Sequence, residues 1–131
     1  MDKIERIQPS TLFTIPGIKA ATRVGNLLFV SGQVPLGPTG EWVGIGDFRV
    51  QAEQVFSNLG AALEAGGGGF DRIIKLTSFF TDIARDLPVF REVRDRHIAS
   101  EHATASSAIQ VAQLFHPAAW LEVEAIALCG N

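Results

Sequence analysis

The sequence predicts one α+β domain with two helices covering a single face of a sheet. Short runs rich in β-branched and aromatic residues alternate with two longer stretches of helical periodicity. Clusters of glycine and proline separate them. The last run, Trp120 to Leu128, is largely apolar on both faces a strand would present. Strand and helix runs in this order point to an α+β layer, with the helices on one face of the sheet. At 131 residues and 47% apolar, residues 1–131 read as one domain with one core, without linker or repeat.

Asn26 to Val30 (NLLFV) is followed at once by Ser31-Gly32 and reads as a buried strand ending in a turn. Gly37-Pro38-Thr39-Gly40 is dense turn chemistry and predicts a hairpin leading into Trp42-Val43. Asp47 has the side chain of a helix N-cap, and Val55, Phe56, Leu59, Ala62 and Leu63 follow as one apolar stripe. Gly66 to Gly69 end that helix, because glycine accepts the left-handed geometry of a helix terminus. A phosphate loop is the poorer reading of these glycines, since no GK[ST] follows. Ile73 to Thr81 is the next strand, and a second helix is predicted from Asp86, with Pro88 in its first turn. Phe90, Val93, His97 and Ile98 share its inner face. Ser107 to Ala112 and Trp120 to Leu128 close the order β, β, α, β, α, β, β.

Two helices cover only one face of a sheet of four or five strands. The other face needs burial, and a partner subunit is the economical cover. A net charge of −3 gives no general reason to hold polyanions, so nucleic acid is not an expected partner. The single Cys129 excludes an internal disulfide framework and fits a reducing compartment. No run reaches the roughly 20 apolar residues of a membrane span, and Met1 to Ser10 has no signal-peptide core. A cytoplasmic protein without membrane association is expected. His97, His102 and His116 have no metal-like spacing with one another or with Cys129, so no metal is expected.

Several segments carry a resemblance. They are Val30-Ser31-Gly32-Gln33-Val34-Pro35, Ala65-Gly66-Gly67 before Asp71-Arg72-Ile73-Ile74-Lys75, Phe80-Thr81-Asp82, and Leu121-Glu122-Val123-Glu124-Ala125-Ile126-Ala127. In this order and near this spacing they resemble the reactive-intermediate deaminase family (Rid, or YjgF-like, also L-PSP endoribonuclease-like), over nearly the whole chain. The resemblance implies a chorismate-mutase-like fold with a mixed sheet, assembled as a homotrimer whose three sheets form a central barrel. It also implies clefts between subunits that hydrolyse enamines and imines without metal or organic cofactor.

The family's site is carried over by position. Its SG turn falls on Ser31 and Gly32, whose backbone lines the cleft, and its glutamate on Glu122. Its arginine begins an R-S/T-x-V-x-V strand, which here reads Ser106-Ser107-Ala108-Ile109-Gln110-Val111, so Ser106 stands in the arginine's place. Its tyrosine falls at Ile18, and a helix asparagine near Arg91, across a one-residue gap. A guanidinium grips a carboxylate through paired charge-assisted hydrogen bonds that a serine hydroxyl does not replace. Efficient turnover of 2-aminoacrylate is therefore not expected.

Glu122 is the expected catalytic residue, because one carboxylate both positions water and shuttles a proton. The bland alternative is an ion pair across a subunit boundary, a role that also suits Glu124 on the same strand face. Ser31 lacks the G-x-S-x-G pattern of a nucleophile elbow and reads as a turn residue. Ser106 and Ser107 either hydrogen-bond a ligand or simply begin a strand. Arg91 either supplies the missing cation or is one solvated charge on a charged helix. Phe79, Phe80, Phe115 and Trp120 read as core or interface. The predicted function is a small-molecule hydrolase or deaminase, with a non-catalytic metabolite-binding trimer as the alternative and RNA cleavage a distant third.

Overall fold

The computed structural model describes residues 3–130. Six strands form one mixed sheet: β1 (Glu5–Ile7), β2 (Ala21–Val24), β3 (Leu27–Gln33), β4 (Ile73–Phe80), β5 (Ala105–Gln110) and β6 (Leu121–Leu128). The order across the sheet is β1-β2-β3-β6-β4-β5. Only β4 and β5 run parallel; every other neighbouring pair is antiparallel. Helices α1 (Phe48–Ala65) and α2 (Ile83–His97) pack side by side on one face, as the sequence predicts.

The elements begin and end for local reasons. Asp47 caps α1, accepting from the Val50 N–H, and the helix stops at Gly66, with Gly67 at φ +83°. The Gly37–Gly40 turn closes as expected, but Trp42 makes only one isolated bridge, to Leu36, in place of a second strand. The sheet gains β1 and β2 instead, two short strands at one end of the sheet with no apolar run to announce them. Ser31-Gly32 is not a turn: β3 runs on to Gln33 through a bulge between Val30 and Gln33. Helix α2 starts at Ile83, where the Asp82 side chain accepts from Arg85 N–H. Pro88 therefore lies one turn deeper than predicted, on the exposed side, where its missing N–H is the least costly. Asp86, the expected start, is buried and accepts from Arg85 Nε and Nη2 at 2.8 and 2.9 Å.

Period two in β6 sends Leu121, Val123, Ala125 and Ala127 under the helices and Glu122, Glu124, Ile126 and Leu128 onto the open face. Phe80 meets Phe90 edge-on at 5.0 Å in the core. His97 is packed rather than ligating: it stacks on Phe56 at 5.3 Å, and burial holds it below the usual imidazole range. Gln51, fully buried, donates to the carbonyls of Gly44 and Ala118 and accepts from Trp120 N–H, clamping the loop before β6 onto α1.

Candidate functional site

The bulge in β3 builds the site. The extra residue turns Ser31 toward the segment that precedes β2: its N–H donates to Ala20 O at 2.9 Å and its hydroxyl to Lys19 O at 2.6 Å. Both bonds are structural, so Ser31 anchors that segment to the strand and is not a free nucleophile. Gly32 faces Glu122 on the neighbouring strand. A Cβ at Gly32 would fall on the Glu122 carboxylate, so only glycine leaves this space to the acid.

Glu122 is half-buried and makes no side-chain hydrogen bond or ion pair among the described residues. Burial, and after it the charge of Glu124, holds its carboxyl above the usual carboxylate range. Glu124 is exposed two residues along the same face. An acid in this state takes and returns a proton nearer to neutral pH than a solvated glutamate does.

Beside Ser31 and Gly32 lies a pocket of about 50 Å³, between the segment before β2 and the end of β3. Leu12, Phe13, Ile15, Ile18 and Leu36 supply apolar wall, and Gln8, Lys19, Ser31, Gln33 and Asn58 its polar positions. Asn58 is buried and donates to the carbonyls of Val34 and Leu36, while its own oxygen accepts from Gln54. The chain after the bulge is thereby fixed to α1.

Among the sequence-predicted site residues, Ile18, Ser31 and Gly32 line the pocket, and Glu122 lies against Gly32. Ser106, Ser107 and Arg91 do not join them within one chain. Ser106 and Ser107 lie on β5, three strands across the sheet from β3. They point to opposite faces: Ser107 accepts from Lys75 Nζ at 2.8 Å on the open side, and Ser106 lines a depression beside the end of α2. Arg91 is exposed on α2, on the far side of the sheet from Glu122. Sequence reasoning missed the pocket wall from Leu12 to Ile15, which has no periodicity to read. It also missed Asn58, although Gln51, Gln54 and Asn58 form a polar seam at helical spacing beside the apolar stripe of α1. Among the described residues no group of three or more His, Cys, Asp or Glu side chains is placed to hold a metal ion. No helix among them is long and apolar enough to cross a membrane.

The chain is thus a two-layer α+β domain in which a bulged strand opposes a partly desolvated glutamate. The family model described as Endoribonuclease L-PSP matches residues 12–129. RutC family protein PH0854 of Pyrococcus horikoshii is 38% identical over 108 residues, 82% of each chain. The crystal structure of RidA from an Antarctic Psychrobacter superposes with a TM-score of 0.86 at 33% identity, covering 95% of this chain and 98% of that one. Escherichia coli TdcF with bound serine gives 0.84 at 32% identity, over 96% and 99%. The chain belongs to the Rid/YjgF/L-PSP family.

Proposed function

We propose that this protein hydrolyses a small imine or its enamine tautomer, with Glu122 as the proton-transfer group. The observation that carries the reading is a half-buried, unpartnered carboxylate held in the space that Gly32 leaves open. In the reaction, water adds its oxygen to the carbon of the C=NH₂⁺ group, the π pair moves to nitrogen, and Glu122 takes the proton water loses. Glu122 returns that proton to nitrogen, the C–N bond breaks, and the carbinol oxygen closes to a carbonyl. Ammonia leaves with the hydroxyl's proton as ammonium, so water and iminium are converted to ketone or aldehyde and ammonium. No step calls on a metal or organic cofactor.

A homotrimer, with the open sheet faces turned inward as a barrel, completes this reading. It is supported by Phe29, Ile109 and Leu128, three large apolar residues exposed on strands of the sheet. It also gives Ser106, Ser107 and Arg91 a route to a cleft, since only a neighbouring copy can bring them near Glu122. The serine bound by TdcF supports a small molecule, rather than a polymer, as ligand.

A metabolite-binding role without turnover is the second reading, favoured by Ile18 and Ser106 standing where the family pattern has tyrosine and arginine. Ammonia release from freshly generated imines, followed beside Glu122→Gln, separates the two. Acceleration that the variant loses supports the enzyme. Calorimetric binding of a ketoacid or amine with no acceleration of any imine supports the binding protein.

A further inference from the structure

Glu122 and Glu124 share one strand and one face, yet Glu122 is half-buried and Glu124 exposed. Their cross-strand partners differ. On β4, Thr77 stands opposite Glu124 and Phe79 opposite Glu122. Phe79 is half-buried and, by the period of β4, points to the open face, whereas Ser78 and Phe80 on either side point inward. Directly opposed residues of an antiparallel pair have Cβ atoms about 4.5–5.5 Å apart, so the ring flanks the acid. Ile109, beside Phe79 on β5, extends this apolar flank by one more strand. On the other side of β6, Gly32 presents no side chain, and the Glu122 arm leans that way. Its Cγ and Cδ lie 3.0 and 2.7 Å from the point a Gly32 Cβ would occupy. The acid thus sits between a ring on β4 and bare backbone on β3.

We infer that Phe79 is a positioning residue for Glu122: its ring closes the β4 side of the acid, so the carboxylate lies over Gly32 and meets its substrate from the β3 side. Phe79 acts through the acid, by keeping water from one flank and by removing the rotamers that would turn the carboxylate toward β4. This packing lies within one chain and leaves the remaining walls of the cleft to a neighbouring copy. The charged groups around Glu122 do not include its flanking residues. Glu124 follows on β6, Lys75 on β4 stands level with Ile126 and donates to Ser107, and Lys19 lines the pocket beyond Gly32. A neighbouring copy that brings up Arg91 brings it up equally in every variant at Phe79. The inference rests on the proton-transfer reading above and deepens it by a second residue.

Titration of the Glu122 carboxyl by NMR, in protein with isotope-labelled glutamate carboxyls assigned through Glu122→Gln, tests this beside the pH–rate profile of imine turnover. In Phe79→Ala the Glu122 midpoint should fall toward the ordinary glutamate range, with part of the rise kept because Glu124 stays. The plateau kcat should drop about tenfold with KM within about twofold, since the acid is displaced and the binding walls are not. Phe79→Leu refills the flank and should restore the midpoint, with kcat within about threefold of the parent. Phe79→Val keeps strand propensity and should move both readouts in the alanine direction by less, which serves where the alanine variant does not hold its fold. An unmoved midpoint in both Phe79→Ala and Phe79→Val would overturn the inference, whatever the rate does. So would an equal loss of rate in Phe79→Leu and Phe79→Ala, the mark of a residue that only holds the sheet together. A midpoint that moves while the parent accelerates no imine would leave Phe79 as the residue that places the acid, and would overturn imine hydrolysis instead.

Discussion

At Gly32 a backbone position and the Glu122 carboxylate compete for one small space. Because the obstructed atoms are the far end of a flexible side chain, Gly32→Ala is expected to fold, with stability within about 1 kcal/mol of the parent. The displaced carboxylate should nevertheless lower imine turnover about tenfold or more. Chemical unfolding and a turnover assay on the same preparation check both halves, and equal activity in the variant would remove Glu122 from the reaction. Glu122→Gln should cost on the order of 10²–10⁴ in rate, the usual worth of a positioned general base. The parent's rate should rise with pH through a midpoint above the usual glutamate range, the direction set by burial and by Glu124. Stability follows the opposite sense. A carboxyl with a raised folded-state pKa binds its proton more tightly in the fold, so stability falls as pH rises from the usual glutamate range through the raised value. Glu122→Gln should thus match the parent in acid and exceed it at neutral pH, as denaturation midpoints measured across pH will show.

At the scale of elements, two buried polar side chains behave differently. Gln51 exchanges three hydrogen bonds with the loops that flank α1 and β6. Gln51→Leu leaves those backbone groups unpaired and should cost about 2–4 kcal/mol in urea unfolding. Ser78, buried on the same side of the sheet, has a hydroxyl without a partner among the described residues. Ser78→Ala should raise stability by about 1 kcal/mol, because a desolvated hydroxyl is removed and little volume is lost. The two helices and the longer strands were legible in the sequence because burial on one side imposes a period, as in Val55, Phe56, Leu59 and Leu63. β1 and β2 were not, since a three-residue ERI and a four-residue ATRV carry no period and exist only by pairing at the sheet edge. The start of α2 was misplaced by three residues because Asp82 and Asp86 are equally good start signals locally. Pairing of Asp86 with Arg85, beneath the Trp120 loop, decides between them.

At the scale of the molecule, the helices bury one sheet face and leave the other with apolar residues in water. Phe29→Glu with Leu128→Glu places charge on that face without entering the core. Sedimentation should show the double variant lighter than the parent, with lower turnover at unchanged secondary structure. A variant that keeps both the parent's mass and its activity would show that the open face is not the contact between copies. The sequence by itself determined the fold class and the helix-covered face. Both depend on residue type and periodicity, which are local properties of the chain, whereas Glu122 was pointed to by the family resemblance alone. Only the tertiary structure decided that Gly32 yields its space to Glu122, that Ser31 spends its hydroxyl on Lys19, and that Ser106 and Ser107 face opposite ways three strands distant. Those relations come from one bulge and from the strand order, which bring together residues some ninety positions apart, and no local pattern encodes a pairing over that distance.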